Sequence, residues 1–210
     1  MMKKTGIICA MQKEYDLLVR EFPEGNGMRC VLSGVGKVNA AIAAERLAME
    51  FNPDCMLSIG CAGTFVESVG EGETVIASRC AYHDVWCGEG NEPGRISGLP
   101  LYFESDAGLL EKAHAGLPDA LVGLLCTGDQ FYVSREEDER QKKMFPDALA
   151  VDMEGAAVAQ VAYLHGIPFL AVKVISDNHC GGRQKERYEG FWNDMAEKSF
   201  SSMRKILQRL

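Results

Sequence analysis

Four acidic residues of this 210-residue chain sit where apolar segments stop. Glu14 follows the run "GIICAM", Asp152 and Glu154 follow "ALAV", and Asp177 closes "FLAVKVIS". Carboxylates are costly to bury, so acids at the edges of core segments call for a chemical reason. A carboxyl group in a dry setting can keep its proton toward neutral pH and serve as an acid. A carboxylate that stays ionised can accept hydrogen bonds from hydroxyls or steady a developing positive charge. Each acid also has a plainer reading: Asp152 as a helix N-cap, Glu154 as a first-turn acid favoured by the helix dipole, Asp177 as a turn cap and Glu14 as helix surface. For Asp152 the N-cap is the preferred reading.

Strand-length apolar runs alternate with helical patterns along the chain. The periodicity predicts strands over 5–11, 28–33, 54–59, 73–81, 120–127, 148–151 and 168–176. It predicts helices over 12–22, 37–51, 105–117, 135–144, 153–165 and 188–210, with a Gly- and Pro-punctuated loop over 83–100. Such alternation implies an α/β chain whose mostly parallel sheet is covered on both faces. Ligands then gather at the carboxyl ends of the strands. The residues there are 12–14, 34–37, 60–63, 128–132, 152–154 and Asp177, and parallel strands would bring all six places to one rim. Gly60 and Gly63 in "SIGCAGTF" read as a tight glycine turn that a ligand can approach closely. No Lys or Arg stands beside it, so a neutral hydroxylated group suits it better than a phosphate.

Composition narrows the classes. Apolar residues make up 47% and charged residues 25%, as in a globular chain, and one domain over 1–210 is expected. Lys+Arg 22 against Asp+Glu 30 gives a net charge of −8, which argues against a nucleic-acid partner. No apolar run approaches the roughly 20 residues of a membrane span, and the first apolar run is too short for a signal peptide. A cytoplasmic location with no membrane partner is therefore expected. The eight cysteines include no C-x-x-C pair and several sit in apolar runs, so they read as buried thiols. "GVGKVN" carries two of the three glycines of a dinucleotide fingerprint, and neither a phosphate loop nor a nucleophile elbow is present. His83, Asp84 and Cys87 are neighbours without a second ligand cluster. No metal and no cofactor are expected.

Taken in order, "GIICAMQKE", "SGVGKVNAA", "SIGCAG", "AYHD", "TGDQF", "VDMEGAAVAQV" and "VISD" resemble the bacterial methylthioadenosine/S-adenosylhomocysteine nucleosidases of the purine nucleoside phosphorylase superfamily. The resemblance spans nearly the whole chain. It implies a three-layer α/β/α sandwich around a central mixed, mostly parallel sheet, a homodimer, and hydrolysis of the adenine–ribosyl bond in 5′-thio-substituted adenosines with water as co-substrate. By the same resemblance, Asp177 is the general acid at the purine and Glu14 the base that aligns the water. Glu154 would hold the ribose hydroxyls, Met153 would pack on the sugar, Phe131 would stack on adenine and the Tyr132 backbone would read the base edge. Cys61, Ala62, Gly63, Ser176 and Lys173 complete the implied substrate-binding set, with Tyr188 and Phe191 closing the 5′ side. Lys173 stands where many relatives carry arginine, Cys61 where serine is common, and the segment from Phe22 to Cys30 is shorter than usual.

Three other readings stay open at this level. A phosphorylase on the same fold would want cations where this chain has Ser58 and "AMQKE". A nucleosidase for another adenine-containing compound, such as a futalosine-type intermediate, would share the acids. A non-catalytic nucleoside-binding module would bind without releasing base.

Overall fold

Val- and Ile-rich runs favour extended backbone, and here nearly all of them are buried strands. The computed structural model describes residues 4–23, 25, 27–131, 135–180 and 183–210. Among these, the strands are β1 (Thr5–Cys9), β2 (Met28–Leu32), β3 (Cys55–Thr64), β4 (Thr74–Tyr82), β5 (Phe103–Glu104), β6 (Leu121–Thr127), β7 (Ala148–Asp152) and β8 (Phe169–Asn178). The helices are α1 (Gln12–Glu21), α2 (Lys37–Phe51), α3 (Ala107–Gly116), α4 (Arg135–Met144), α5 (Gly155–His165), α6 (Gln184–Asp194) and α7 (Ala196–Leu207). No helix among the described residues is long and apolar enough to cross a membrane.

The sheet is mixed but mostly parallel. β1 runs parallel to β2 and β3, β3 to β8, and β6 to both β4 and β7. Antiparallel pairings join β3 to β7, β4 to β8 and β4 to β5. Because β8 pairs both β3 and β4, the strands β3, β7, β6, β4 and β8 close into a ring. Closure of this kind removes exposed edges from the centre of the sheet.

Residue alternation along the strands assigns the two faces. Ile8, Met56 and Ala171 share one core with Ala40 and Ala44 of α2 and Ala156 and Ala159 of α5. Their neighbours Ile7, Leu57 and Leu170 share another with Leu18 of α1, Ala113 of α3 and Phe200 and Ile206 of α7. Helices thus cover both faces, which is the expected three-layer arrangement.

Three local expectations need correction. β3 runs unbroken through Gly60 and Gly63, so "SIGCAGTF" is strand and not a tight turn. The C-terminal helix is two helices, with Met195 ending α6 and preceding α7. The short β5 has no counterpart among the predicted strands, since two residues give no periodicity to detect.

Candidate active site

All six strand-end places contribute to one cavity of about 300 Å³. Its wall includes Met11 and Glu14 after β1, Val35 after β2, Cys61 to Gly63 on β3, Phe131 after β6, Met153 and Glu154 after β7, and Asp177 on β8. Parallel pairing of β1, β3 and β8 carries residues far apart in the chain to the same edge. Tyr132 lies outside the described residues.

Glu14 is 2% exposed. It sits in the first turn of α1, and its Oε2 accepts from the backbone N–H groups of Ala10 at 3.0 Å and Met11 at 2.9 Å. Its Oε1 accepts from the Cys61 backbone at 2.7 Å. Burial pushes its carboxyl up, while Lys173 and the three backbone donors pull it back toward ionisation. Gly60 exists for this seat: a Cβ there would stand 2.7 Å from Glu14 Oε1. The glycines of "SIGCAG" therefore make room for acids, where the sequence suggested room for ligand. Gly63 repeats the pattern, since its Cβ would stand 3.1 Å from Asp177 Oδ2.

Asp177 is placed by a β-bulge. The β3–β8 register pairs Ala62 with Ile175 but Gly63 with Asp177, leaving Ser176 as the extra residue. Bulges re-aim the side chain beside them. Ser176 Oγ then donates to Asp177 Oδ1 at 2.7 Å, and Gln184 Nε2 donates to Oδ2 at 2.8 Å. Ser176 supports the acid from behind instead of lining the cavity.

Glu154 stands at the N-cap position of α5, and its Oε1 accepts from the Gly36 backbone at 2.8 Å. Burial, with the Asp152 charge adding to it, pushes its carboxyl up to about 7 against the pull of Lys173. Asp152 ends β7 two residues before that N-cap and accepts from the Gly155 backbone at 2.9 Å. It also pairs with Lys173 Nζ at 2.9 Å, in a contact where the two side chains are 4% and 1% exposed. Burial works against the Lys173 charge, but Asp152, Glu154 and Glu14 outweigh it and hold the ammonium firmly protonated. Lys173 thus sits behind the acids as a counter-charge and is not part of the cavity wall described here.

The motifs "GVGKVN", "AYHD" and "TGDQF" form a brace around this rim. Lys37 Nζ reaches Asp84 Oδ2 at 2.6 Å, and the Asp129 backbone donates to the same oxygen at 2.9 Å. The brace fixes the loop that carries Gly36 to Glu154.

The apolar side is built by Met11, Val35, Phe131 and Tyr188. The Phe131 and Tyr188 rings meet edge-on at 5.1 Å, and Tyr188 Oη donates to Met11 Sδ at 3.2 Å. Phe191, placed beside Tyr188 by the sequence reading, points elsewhere: it is 1% exposed within the core under α7. Residues three apart on a helix share a face only in part, and here one faces the cavity and the other the core. Cys61 lines the cavity, and burial together with the Glu14 charge keeps its thiol neutral, so it is no nucleophile.

His179 and Gln184 also line the cavity and were not singled out as site residues. For His179 a signal existed, since it lies two residues past Asp177 in an extended run. Gln184 had none, because it arrives from α6 through tertiary packing.

Comparison with known proteins places the chain in a family. The family model described as the phosphorylase superfamily matches residues 4–210. A 5′-methylthioadenosine/S-adenosylhomocysteine nucleosidase of Listeria welshimeri is 38% identical, over 82% of this chain and 85% of its own. The enzyme of that name from Aeromonas salmonicida is 35% identical, over 99% of this chain and 100% of its own. Among solved structures, the nucleosidase of Streptococcus pneumoniae with the transition-state inhibitor MT-ImmA superposes with a TM-score of 0.89 at 32% identity, covering 98% of this chain and 99% of that one.

Proposed function

Because the chain belongs to the 5′-methylthioadenosine/S-adenosylhomocysteine nucleosidase family within the phosphorylase superfamily, we propose that it hydrolyses the N-glycosidic bond of both nucleosides to release adenine. The observation that carries the reading is the meeting of Glu14, Glu154 and Asp177, from three distant parts of the chain, on one cavity.

In this mechanism Phe131 stacks on the adenine while Asp177 gives a proton to N7. The N9–C1′ electron pair then leaves with a neutral base. The sugar passes through an oxocarbenium-like state, which the ionised acids favour. Glu14 accepts a proton from the water whose oxygen bonds to C1′. Glu154 accepts hydrogen bonds from the ribose hydroxyls, and Met153 packs on the ring. Met11, Val35 and Tyr188 offer an apolar wall to the 5′-thio substituent.

A phosphate nucleophile fits poorly. Among the described residues that line the cavity, none is Lys or Arg, while four are acids. Lys173 is already committed to Asp152. The test is to incubate the protein with methylthioadenosine, adenosylhomocysteine, adenosine and inosine, with and without phosphate, and to measure free base. Adenine from the two thio-nucleosides in phosphate-free buffer is the expected result, and release that requires phosphate would overturn the reading.

Glu154 should control sugar binding more than turnover. Its ionised form accepts more strongly from both hydroxyls, so KM should fall as pH rises through about 7. In Glu154→Gln this pH dependence of KM should vanish, with KM raised on the order of tenfold for about 1.4 kcal/mol of lost charge-assisted bonding. Initial rates over a pH series check both statements. Gly60→Ala should displace the Glu14 carboxylate, and shifts near 1 Å cost on the order of 10²-fold in rate. Turnover should drop by that order with KM little changed.

A homodimer and a cytoplasmic role in methionine salvage belong to the same proposal. Val38 and Met49 of α2 are 69% and 70% exposed, and Leu164 of the adjacent α5 is 63% exposed. Large exposed apolar residues on two packed helices support a self-association surface there.

A further inference from the structure

The proposed reaction needs a proton at Asp177, and both oxygens of that carboxylate already accept hydrogen bonds. Ser176 donates to one oxygen and Gln184 to the other. The titratable side chain that faces it among the described residues is His179. Its Nε2 lies 3.5 Å from Asp177 Oδ2, and its Nδ1 lies 2.9 Å from Asp138 Oδ1 on α4. The ring therefore stands between two carboxylates, with its side chain only 6% exposed.

Gln184 bears on whether Nε2 carries a hydrogen. Its amide nitrogen lies 2.8 Å from Phe131 O, 2.8 Å from Asp177 Oδ2 and 2.9 Å from His179 Nε2. An amide nitrogen carries two hydrogens. With both spent on the two oxygens, Gln184 offers none to His179, which leaves a protonated Nε2 and Asp177 Oδ2, 3.5 Å apart, as the remaining donor and acceptor. Gly63 makes this possible, since a Cβ there would stand 2.7 Å from His179 Nε2.

Resting on the nucleosidase reading, we infer that His179 is a positioning residue that stores the proton Asp177 delivers to the purine, with Asp138 as the buttress that keeps the ring charged and oriented. The proton crosses from His179 Nε2 to Asp177 Oδ2 and then to N7 as the N9–C1′ bond breaks. His179 is left neutral and Glu14 holds the proton from water. Both return to their starting states by exchange with solvent, so charge and atoms balance.

The charged groups facing the ring fit this assignment. Asp138 approaches from α4 and Asp177 from β8, β3 presents the backbone at Gly63, and α6 presents the neutral Gln184. Burial alone would lower the basicity of the imidazole, but the two carboxylates outweigh it and raise it to about 9. A raised value keeps the ring charged through neutral pH and releases the proton only as pH rises through about 9. The stored proton should then be lost on the alkaline side.

Two measurements test this. The first is the imidazole titration of His179 by NMR in the substrate-free protein. Protonation persisting well above pH 7 is expected, and titration at the ordinary value of about 6.5 overturns the inference. This arm needs no turnover, so it can fail or succeed independently of the nucleosidase reading. The second is the pH profile of kcat in His179→Asn and Asp138→Asn. Each should move the alkaline limb toward acid by about one unit or more, with KM near wild type. A uniform fall in kcat at every pH, with the limb unmoved, would mark a purely structural role and overturn the proposal. If His179→Asn fails to fold, Asp138→Asn and the titration still decide it.

Discussion

Asp177→Asn should lower kcat for methylthioadenosine by roughly 10²–10⁴, or about 3–5 kcal/mol of barrier, while KM changes little. The reasoning starts from the leaving group. An adenine anion leaves poorly, so the step depends on a proton at N7, and Asn cannot supply one. The substitution is close to isosteric, but with the Ser176 hydroxyl kept on the amide oxygen at 2.7 Å the new amide nitrogen faces the Gln184 donor, which loses this acceptor and keeps Phe131 O. The midpoint of thermal unfolding should therefore fall modestly, by the equivalent of about 1 kcal/mol. A substrate whose leaving group needs no proton, such as a 4-nitrophenyl 5-methylthioriboside, separates acid catalysis from general damage. Asp177→Asn should cleave it at close to the wild-type rate. Equal losses on both substrates would remove Asp177 from the role of acid.

Glu14→Gln should also lower kcat by roughly 10²–10⁴, but with a different signature. The wild-type carboxylate accepts three backbone N–H groups, two on one oxygen and one on the other. A glutamine has one carbonyl oxygen. If that oxygen keeps Ala10 and Met11, the amide hydrogens face the Cys61 N–H and leave it without an acceptor. A buried unsatisfied donor costs about 1–3 kcal/mol, so this variant should unfold at lower temperature as well as turn over slowly. Its defect should persist with the activated substrate, because it lies in water attack and not in leaving-group departure. The paired signatures, one loss rescued and one not, assign the acid and the base separately.

Much of the cavity was legible in the sequence because the acids proposed for catalysis occupy strand ends. Apolar runs such as "FLAVKVIS" locate the strands, and the acid that stops each run lies on the ligand-binding rim of a parallel sheet. Glu14, Glu154 and Asp177 all followed from that rule. What the rule could not show was how strands shift against one another. The bulge that aims Asp177 and the unbroken path of β3 through its glycines depend on pairing between residues more than a hundred positions apart. Phe191 was misplaced for a related reason. Helical spacing says which residues share a face, but the packing of α6 on β8 decides which face meets the cavity. Gln184 and the Asp138 contact to His179 likewise come from separate helices meeting at one strand end, and no local pattern announces them.

Asp152 shows a residue with two uses. The N-cap expectation needs correction: Glu154 takes the N-cap position of α5, while Asp152, two residues earlier, accepts from the Gly155 backbone. The same carboxylate also pairs with buried Lys173. A buried ion pair of this kind is costly to break from one side. It keeps a positive charge close behind Glu14 and Glu154, which limits how far burial can neutralise them.

The most direct measurement of the central claim is turnover of methylthioadenosine in H₂¹⁸O, without and with phosphate, followed by mass analysis of the sugar product. The account predicts one ¹⁸O at C1 of the thioribose and an unchanged rate when phosphate is added. A sugar 1-phosphate, or an absence of label at C1, would contradict it.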